Sequence, residues 1–433
     1  MESKKKPRLQ GLFFILDGLG DLPVARLDGK TPLEAAKTPH LDHLAGCGVY
    51  GLVDPVLPGV APDTHTGIAL LLGVSTKEVC RLHRGPIEAA GAGVTFEDGD
   101  VAIRCNFATL ELSEGRLIIT DRRAGRISAP DTTELAGVLQ NIDLGNGVTG
   151  SVFPATQHRA VLRLSGSGLS DAISDSDPRH GNPMQVQTVR PLLPDDPDSR
   201  KTAEAMNHFS RIAHERLFCH PLNTRRRTQG KPEANTIICR GAGAVSELKT
   251  VLHDLHLKAA IVTGSCTVVG LGRMLDYPVF TSPGFTALAD TDIAGKISTA
   301  FKLLQDHDLV FVHLKAPDIC AHDFDPEGKR DFIERFDLAL STVLRKNLVI
   351  AVTADHSTNS NSGEHSRDPV PSLLYTPAPG DSSDTCNSCH HFGEHECRQG
   401  TLGTMPADLF LRTFLASMGY PDSSVPSSQS SAS

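Results

Sequence analysis

Three apolar runs in this sequence end in side chains that bind metals. Residues 11–16 run into Asp17, residues 309–314 are followed by Asp318 and His322, and residues 348–353 are followed by Asp355 and His356, with His365 shortly after. Carboxylate oxygens together with imidazole nitrogens suit Mn2+ or Zn2+, and Mg2+ less often. A single aspartate after a strand is commonly a turn or helix-capping residue. Three aspartates and three histidines at such positions, with Asp355 and His356 adjacent, exceed what capping requires. Six groups are too many for one ion and about right for two. A two-metal site stabilises the attacking and leaving oxygens of an in-line displacement and makes a Ser or Thr hydroxyl a usable nucleophile near neutral pH. The Pro/Gly-rich segment 57–67 offers such a hydroxyl in Thr64 or Thr66, just before the apolar stretch 68–72. At a helix start it lies beside free N–H groups that can hold phosphate oxygens, although either threonine could serve as a cap alone.

The elements that must position these groups are legible in outline. Residues 11–16, 259–263, 309–314 and 348–353 read as strands buried on both faces. Helical stretches lie at 31–47, broken at Pro39, and at 289–304 and 330–344. Strands alternating with helices imply an α/β fold, a mostly parallel sheet flanked by helices. Ligands in such sheets bind beyond the carboxyl ends of the strands, so distant segments can deliver their Asp and His to one rim. Asp318 and His322 share a face if their turn is helical. The middle of the chain differs, with strand-like runs at 101–111, 116–120 and 160–164 separated by Gly-rich turns. We read a catalytic core from 1–74 and 186–422, an inserted α+β domain at 75–185, and a Ser-rich disordered tail at 423–433. Residues 224–231 read as an exposed basic loop.

Composition removes several function classes. Lys+Arg 42 against Asp+Glu 51 gives a net charge of -9, which disfavours nucleic-acid binding. Trp is absent and aromatics are 5%, so a base-stacking platform is not expected. No run approaches the roughly 20 apolar residues of a membrane span. No export signal is evident, so the ten cysteines read as reduced thiols of a cytoplasmic protein.

Several longer runs carry a resemblance. They include Asp17-Gly18-Leu19-Gly20-Asp21, Gly29-Lys30-Thr31-Pro32-Leu33-Glu34-Ala35-Ala36 and Thr38-Pro39-His40-Leu41-Asp42. Arg84-Gly85-Pro86-Ile87-Glu88, Arg104-Cys105-Asn106-Phe107-Ala108-Thr109 and Thr120-Asp121-Arg122-Arg123-Ala124-Gly125-Arg126-Ile127 follow. Lys315 to Asp323, Thr353-Ala354-Asp355-His356-Ser357-Thr358 and His365-Ser366-Arg367-Asp368-Pro369 complete the pattern. The chain resembles the cofactor-independent phosphoglycerate mutases, archaeal-type branch, within the alkaline phosphatase superfamily. That resemblance implies an alkaline-phosphatase-like sheet and a metal-dependent interconversion of 3-phosphoglycerate and 2-phosphoglycerate, without 2,3-bisphosphoglycerate. It implies two divalent metal ions, with Mn2+ foremost and Mg2+, Co2+ or Zn2+ as others. Asp17, Thr64, Asp355 and His356 would hold one, and Asp318, His322 and His365 the other. Thr64 would be the nucleophile. Arg84, Arg104, Arg122, Arg123 and Arg126, with Asn106 and Lys315, would bind the small phosphorylated substrate, because guanidinium matches phosphate and carboxylate bidentately. Closure of the two domains over the substrate would exclude water. The chain departs from the family where Thr64-His65-Thr66-Gly67-Ile68 stands in place of the usual Ser-Asp-Thr-Ala-His. Two other readings keep the same residues: a hydrolase or transferase acting on another phosphorylated metabolite, or a metal-binding sensor.

One further motif stands apart. Cys386, Cys389, His390 and His391, with His395 and Cys397, have zinc-knot spacing but read as a reduced-thiol loop near the active-site rim.

Overall fold

Every residue of the strand Gln10–Leu16 after Gln10 is buried, as expected of an apolar run covered on both faces. In this computed structural model, which describes residues 8–55, 63–113, 115–155, 157–178, 181, 183–244, 248–344, 346–377 and 391–421, the strand lies inside an eight-stranded sheet. The strand order is Val279–Phe280, Ala259–Val262, Leu309–Leu314, Gln10–Leu16, Leu348–Thr353, Val370–Tyr375, Val49–Asp54 and Gly403–Pro406. Val370–Tyr375 runs antiparallel to both neighbours, and the other pairings are parallel. The chain divides into two units, Met1–Arg81 with Leu248–Ser433, and Leu82–Glu247. The sheet belongs to the first.

Alternation along the central strand fixes what covers each face. Phe13 packs edge-on against Phe414 at 5.0 Å and Phe410 at 5.9 Å, from the helix Ala407–Ser417. Phe14 packs against Phe336 at 5.4 Å, from the helix Pro326–Leu340. Gly11 is required for the first contact, since a Cβ there would lie 2.6 Å from the Phe414 ring. The register pairs Leu16 with Leu314 and Ile15 with Thr353, which brings the carboxyl ends of three strands level. Pro39 does divide the early helical stretch, into Pro32–Ala35 and Pro39–Cys47. Thr31 and Glu34 form a capping box on the first, and Asp337 accepts the His40 and Leu41 N–H groups at the start of the second.

The second unit is an antiparallel sheet. Val101–Ser113 pairs with Arg116–Asp121, Arg159–Ser165 and Thr236–Ala244, and Thr149–Pro154 and Ile142–Asp143 extend the far side. The 22-residue helix Pro197–Phe218 shares this unit's core, where Ala203, Met206, Phe209 and Leu217 join Phe107 and Leu162. The boundary expected at 185 therefore moves to Glu247, and the one expected at 75 to Leu82. An amphipathic helix declares that it covers a sheet but not which one.

Two further expectations change. Residues 224–231 are not a loop: Pro221–Thr228 is a helix, and Arg226 is buried, donating to Asp131 and to the carbonyls of Pro232 and Ala124. Carboxylates from elsewhere in the chain supply partners that local sequence does not show. Cys47 is disulfide-bonded, so the expectation of reduced thiols fails there, while Cys80, Cys105, Cys219, Cys239 and Cys320 are thiols. The tail 423–433 lies outside the described residues. No helix among the described residues is long and apolar enough to cross a membrane.

A buried carboxylate ties the loops beside the strand ends. Glu394 accepts from Asp21 N–H at 3.1 Å and the Thr31 hydroxyl at 2.6 Å. Asp21 in turn accepts from Lys329 Nζ at 2.8 Å and Ser360 Oγ at 2.6 Å. Burial pushes the Glu394 carboxyl up to about 7. A raised carboxyl pKa means that the fold resists ionisation. Stability should therefore fall as pH rises from the unfolded value of about 4.3 through about 7. Glu394→Gln should remove that decline. In urea titrations the variant should gain up to about 3 kcal/mol over wild type at pH 8 and show no gain at pH 4.

Candidate functional site

The helix Ala316–His322 follows the strand Leu309–Leu314 directly, and its single turn places Asp318 and His322 on one face. His322 Nε2 lies 3.3 Å from Asp318 Oδ1, and His365 Nε2 lies 3.4 Å from the same oxygen. His322 Nδ1 donates to the Gly363 carbonyl at 2.6 Å, which leaves Nε2 with its lone pair toward Asp318. A second group forms at the ends of the neighbouring strands. His356 Nε2 is 3.3 Å from both Asp17 Oδ1 and Asp355 Oδ2. In each trio the ligand atoms lie within 4.8 Å of one another. The groups adjoin: His356 and His365 stack at 3.7 Å, and His356 Nε2 is 4.0 Å from Asp318 Oδ1.

The electrostatics call for cations. Asp17, Asp318 and Asp355 are buried, and the ammonium among them is Lys315, 2.8 Å from Asp17 and 2.7 Å from Asp318. With neutral histidines, three carboxylates against one lysine leave two negative charges in a low-dielectric site. Burial is the largest influence and works against the Asp17 and Asp318 carboxylates, but Lys315 together with the neighbouring histidines outweighs it and holds both below the usual range. Asp355 goes the other way, raised well above its ordinary value by burial and by the charges of Asp17 and Asp318. Its Oδ2 has no hydrogen-bond partner among the described residues. An orphaned buried carboxylate oxygen beside two imidazole-bearing trios fits divalent cations, which supply the missing charge and take both oxygen and nitrogen donors.

Thr64 opens the helix Thr64–Leu71 and is buried. Its Oγ1 lies 3.1 Å from His356 Nε2 and accepts from Lys315 Nζ at 3.2 Å. Thr66 instead donates to the Asp63 carbonyl at 2.7 Å, so the two threonines left open by the sequence have different roles. Lys315, expected to contact substrate, here sits among the ligand carboxylates. Gly67 seats the helix: a Cβ there would lie 2.1 Å from the Asp355 carbonyl oxygen.

The second unit carries a concentration of positive charge. Arg104 is buried on Val101–Ser113, with its Nε 2.9 Å from Glu88 Oε1, and Arg84 approaches the same oxygen at 3.8 Å. Burial lowers the Arg104 pKa, Glu88 opposes, and Arg84, Arg240 and Arg159 lower it further. Burial and then Arg159, Arg123, Arg104 and Arg126 push His158 down to about 4. Arg104 Nη1, Asn106 Oδ1 and His158 Nδ1 are buried without hydrogen-bond partners among the described residues. Arg123 and Arg126 are exposed on a turn where Ala124, Gly125 and Arg126 are all left-handed, held by Asp121 through Arg123 N–H and Gly125 N–H. Arg122 differs, since its Nη2 donates to Asp177.

Several residues here escaped the sequence reading. Arg159 and Arg240 belong to the cationic cluster and His158 sits beside it, yet a cationic side chain on a strand gives no sign of which face it serves. His313 is fully buried, 3.0 Å from Asp17 Oδ2 through Nε2 and 3.2 Å from Thr263 through Nδ1. A histidine inside an otherwise apolar strand run was the available signal, because a buried imidazole needs partners. Cys386, Cys389 and His390 lie outside the described residues. Of their companions, Cys397 is buried and His391 contacts Asp42 and the Glu34 carbonyl.

Comparison with known proteins agrees with this geometry. A family model described as 2,3-bisphosphoglycerate-independent phosphoglycerate mutase matches residues 45–223. The chain is 43% identical over 371 residues to such an enzyme from Methanopyrus kandleri, covering 84% of this chain and 87% of the relative. It is 40% identical over 410 residues to the one from Ignicoccus hospitalis, covering 93% and 96%. Among solved structures, a Pyrococcus horikoshii protein aligns with TM-score 0.77 and 31% identity over 95% of this chain and 98% of that one. A cofactor-independent phosphoglycerate mutase from Thermoplasma acidophilum aligns with TM-score 0.64 and 33% identity, covering 94% and 100%.

The seat of Thr64 gives a direct test. Gly67→Val, which adds branched bulk beside the Asp355 carbonyl, should displace the helix start from Asp355 and lower kcat about 100-fold in steady-state assays, with a smaller change in KM. Wild-type kcat in that variant would show that the close approach is not needed.

Proposed function

Because this chain belongs to the 2,3-bisphosphoglycerate-independent phosphoglycerate mutases, we propose that Thr64 is the group that accepts and returns the phosphoryl group. The reaction interconverts 3-phosphoglycerate and 2-phosphoglycerate, an alkaline-phosphatase-like fold serving an isomerase. The observation that carries the assignment to Thr64 is its Oγ1 standing between His356 Nε2 and Lys315 Nζ, beside both ligand trios.

In this reading Asp17, Asp355 and His356, with Thr64, hold one divalent cation, and Asp318, His322 and His365 hold the other. Mn2+ is the ion we assign, from the mixed oxygen and nitrogen donors, with Mg2+, Co2+ and Zn2+ as its competitors. When bound, the pair supplies a lowered hydroxyl pKa and neutralises charge on the transferring phosphoryl group. Thr64 Oγ1 attacks phosphorus in line. The Oγ1–P bond forms as the glycerate O–P bond breaks, and the proton lost by Thr64 ends on the departing glycerate oxygen. Lys315 donates to Thr64 Oγ1 and stabilises the developing alkoxide. The second hydroxyl of the retained glycerate then attacks the phosphothreonine and restores Thr64.

Retention separates a mutase from a phosphatase. We assign it to the second unit, where Arg84, Arg104, Arg123 and Arg126, with Arg159, Arg240 and Asn106, offer planar donors for a carboxylate or phosphate. The pairing of Arg122 with Asp177 makes it a support for that turn. The ligand is a small phosphorylated acid, and the cytoplasm is the compartment this reading assigns.

An enolase-coupled assay, run beside a free-phosphate assay on metal-reconstituted protein, tests the assignment. 2-Phosphoglycerate should form from 3-phosphoglycerate without phosphate release. Thr64→Ala should lose at least about a thousandfold in kcat while Thr64→Ser keeps activity. Turnover surviving Thr64→Ala would remove Thr64 as nucleophile, and stoichiometric free phosphate would indicate a hydrolase instead.

A further inference from the structure

The short strand Ser357–Asn359 pairs antiparallel with Glu364–Ser366, and Thr358 stands directly opposite His365. Thr358 is fully buried. Its Oγ1 lies 2.7 Å from Asp318 Oδ1 and 3.0 Å from His356 Nδ1. Those two partners belong to different ligand trios. A hydroxyl has one proton to give, and an ionised carboxylate can only accept. Thr358 therefore donates to Asp318 and accepts from His356, which requires that His356 carry its proton on Nδ1. The Nε2 lone pair is then the one that faces Thr64, Asp17 and Asp355.

The hydroxyl is fixed from every side. Thr358 N–H donates to the Gly20 carbonyl at 2.9 Å, and its own carbonyl accepts from Lys329 Nζ at 3.0 Å. Lys329 is itself fully buried and ion-paired with Asp21. Gly18 packs so closely that a Cβ there would lie 2.6 Å from Thr358 Oγ1. A valine would fill the same volume, so packing alone does not call for a hydroxyl at this position.

We propose that Thr358 is a positioning residue that couples the two ligand trios, orienting Asp318 and fixing the His356 tautomer through one hydroxyl. This rests on the reading that the trios hold metal ions. Partners of this kind typically contribute about 10–100-fold to metal affinity.

The test uses full-length, metal-stripped wild type, Thr358→Val and Thr358→Ser, each titrated with Mn2+ while free Mn2+ is followed by electron paramagnetic resonance. Wild type should bind two ions. Thr358→Val should bind both about 10–100-fold more weakly, at an unchanged melting temperature of the metal-free protein. Thr358→Ser should recover most of the affinity. Equal affinity in Thr358→Val, loss confined to one ion, or failure of serine to rescue would each overturn the inference while leaving the metal reading intact. A wild type that binds no Mn2+ would overturn both. Should Thr358→Val fail to fold, 15N spectra of histidine-labelled, metal-free wild type decide, with His356→Gln giving the assignment. Protonation of His356 on Nδ1 supports the proposal, and protonation on Nε2 contradicts it.

Discussion

Three carboxylates buried around one ammonium set the terms for the rest of this structure. Asp17 lies about 300 residues before Asp318 and Asp355, and Lys315 is the ammonium that pairs with Asp17 and Asp318. Such an arrangement is costly in a low-dielectric interior unless further positive charge arrives. The fold concentrates negative charge where it has placed imidazoles and a threonine hydroxyl, which turns an electrostatic liability into affinity for cations. The opposite shifts of Asp17 and Asp355 express that imbalance: one carboxylate secures the lysine and the other is left resisting ionisation.

The sheet is what makes the crowding possible. Three adjacent parallel strands end level, so the residues that follow them meet without long side-chain excursions. Phe13 and Phe14 anchor the central strand to helices on opposite faces, which fixes the height of Asp17 against its neighbours. Gly18 and Gly67 mark where backbone and helix closely approach ligand-bearing loops in this chain. The buried Lys329–Asp21 pair then ties the turn after the first strand to residues 358–360.

Much of the candidate Asp/His cluster was legible because its residues follow strands that announce themselves. A largely apolar run followed within a few residues by aspartate, three times over, carries both the element and the position of its chemistry. Residue types alone left Thr64 and Thr66 open, the family resemblance pointed to Thr64, and the geometry shows that Thr64 is the one that faces His356. His313 and Thr358 were missed because their role lies in the partners they reach. The limit of the second unit was missed for a related reason: the apolar stripe of Pro197–Phe218 fits any sheet, and the pairing of Thr236–Ala244 with Val101–Ser113 decides the matter. Arg226 was read as solvated because its carboxylate partner, Asp131, is distant in sequence.

The second unit presents the complementary charge problem. Its arginines crowd one another and His158 with Glu88 as the near counter-charge, so it gains from an anion as the first unit gains from cations. In the proposed function a phosphorylated acid would satisfy one need and divalent ions the other. In the proposed reading the three-carboxylate cluster holds two cations. Anomalous diffraction from crystals equilibrated with Mn2+ tests it most directly. Two peaks are predicted, one among Asp17, Asp355 and His356 and the other among Asp318, His322 and His365; a single peak, or none with Lys315 still bridging the aspartates, would contradict it.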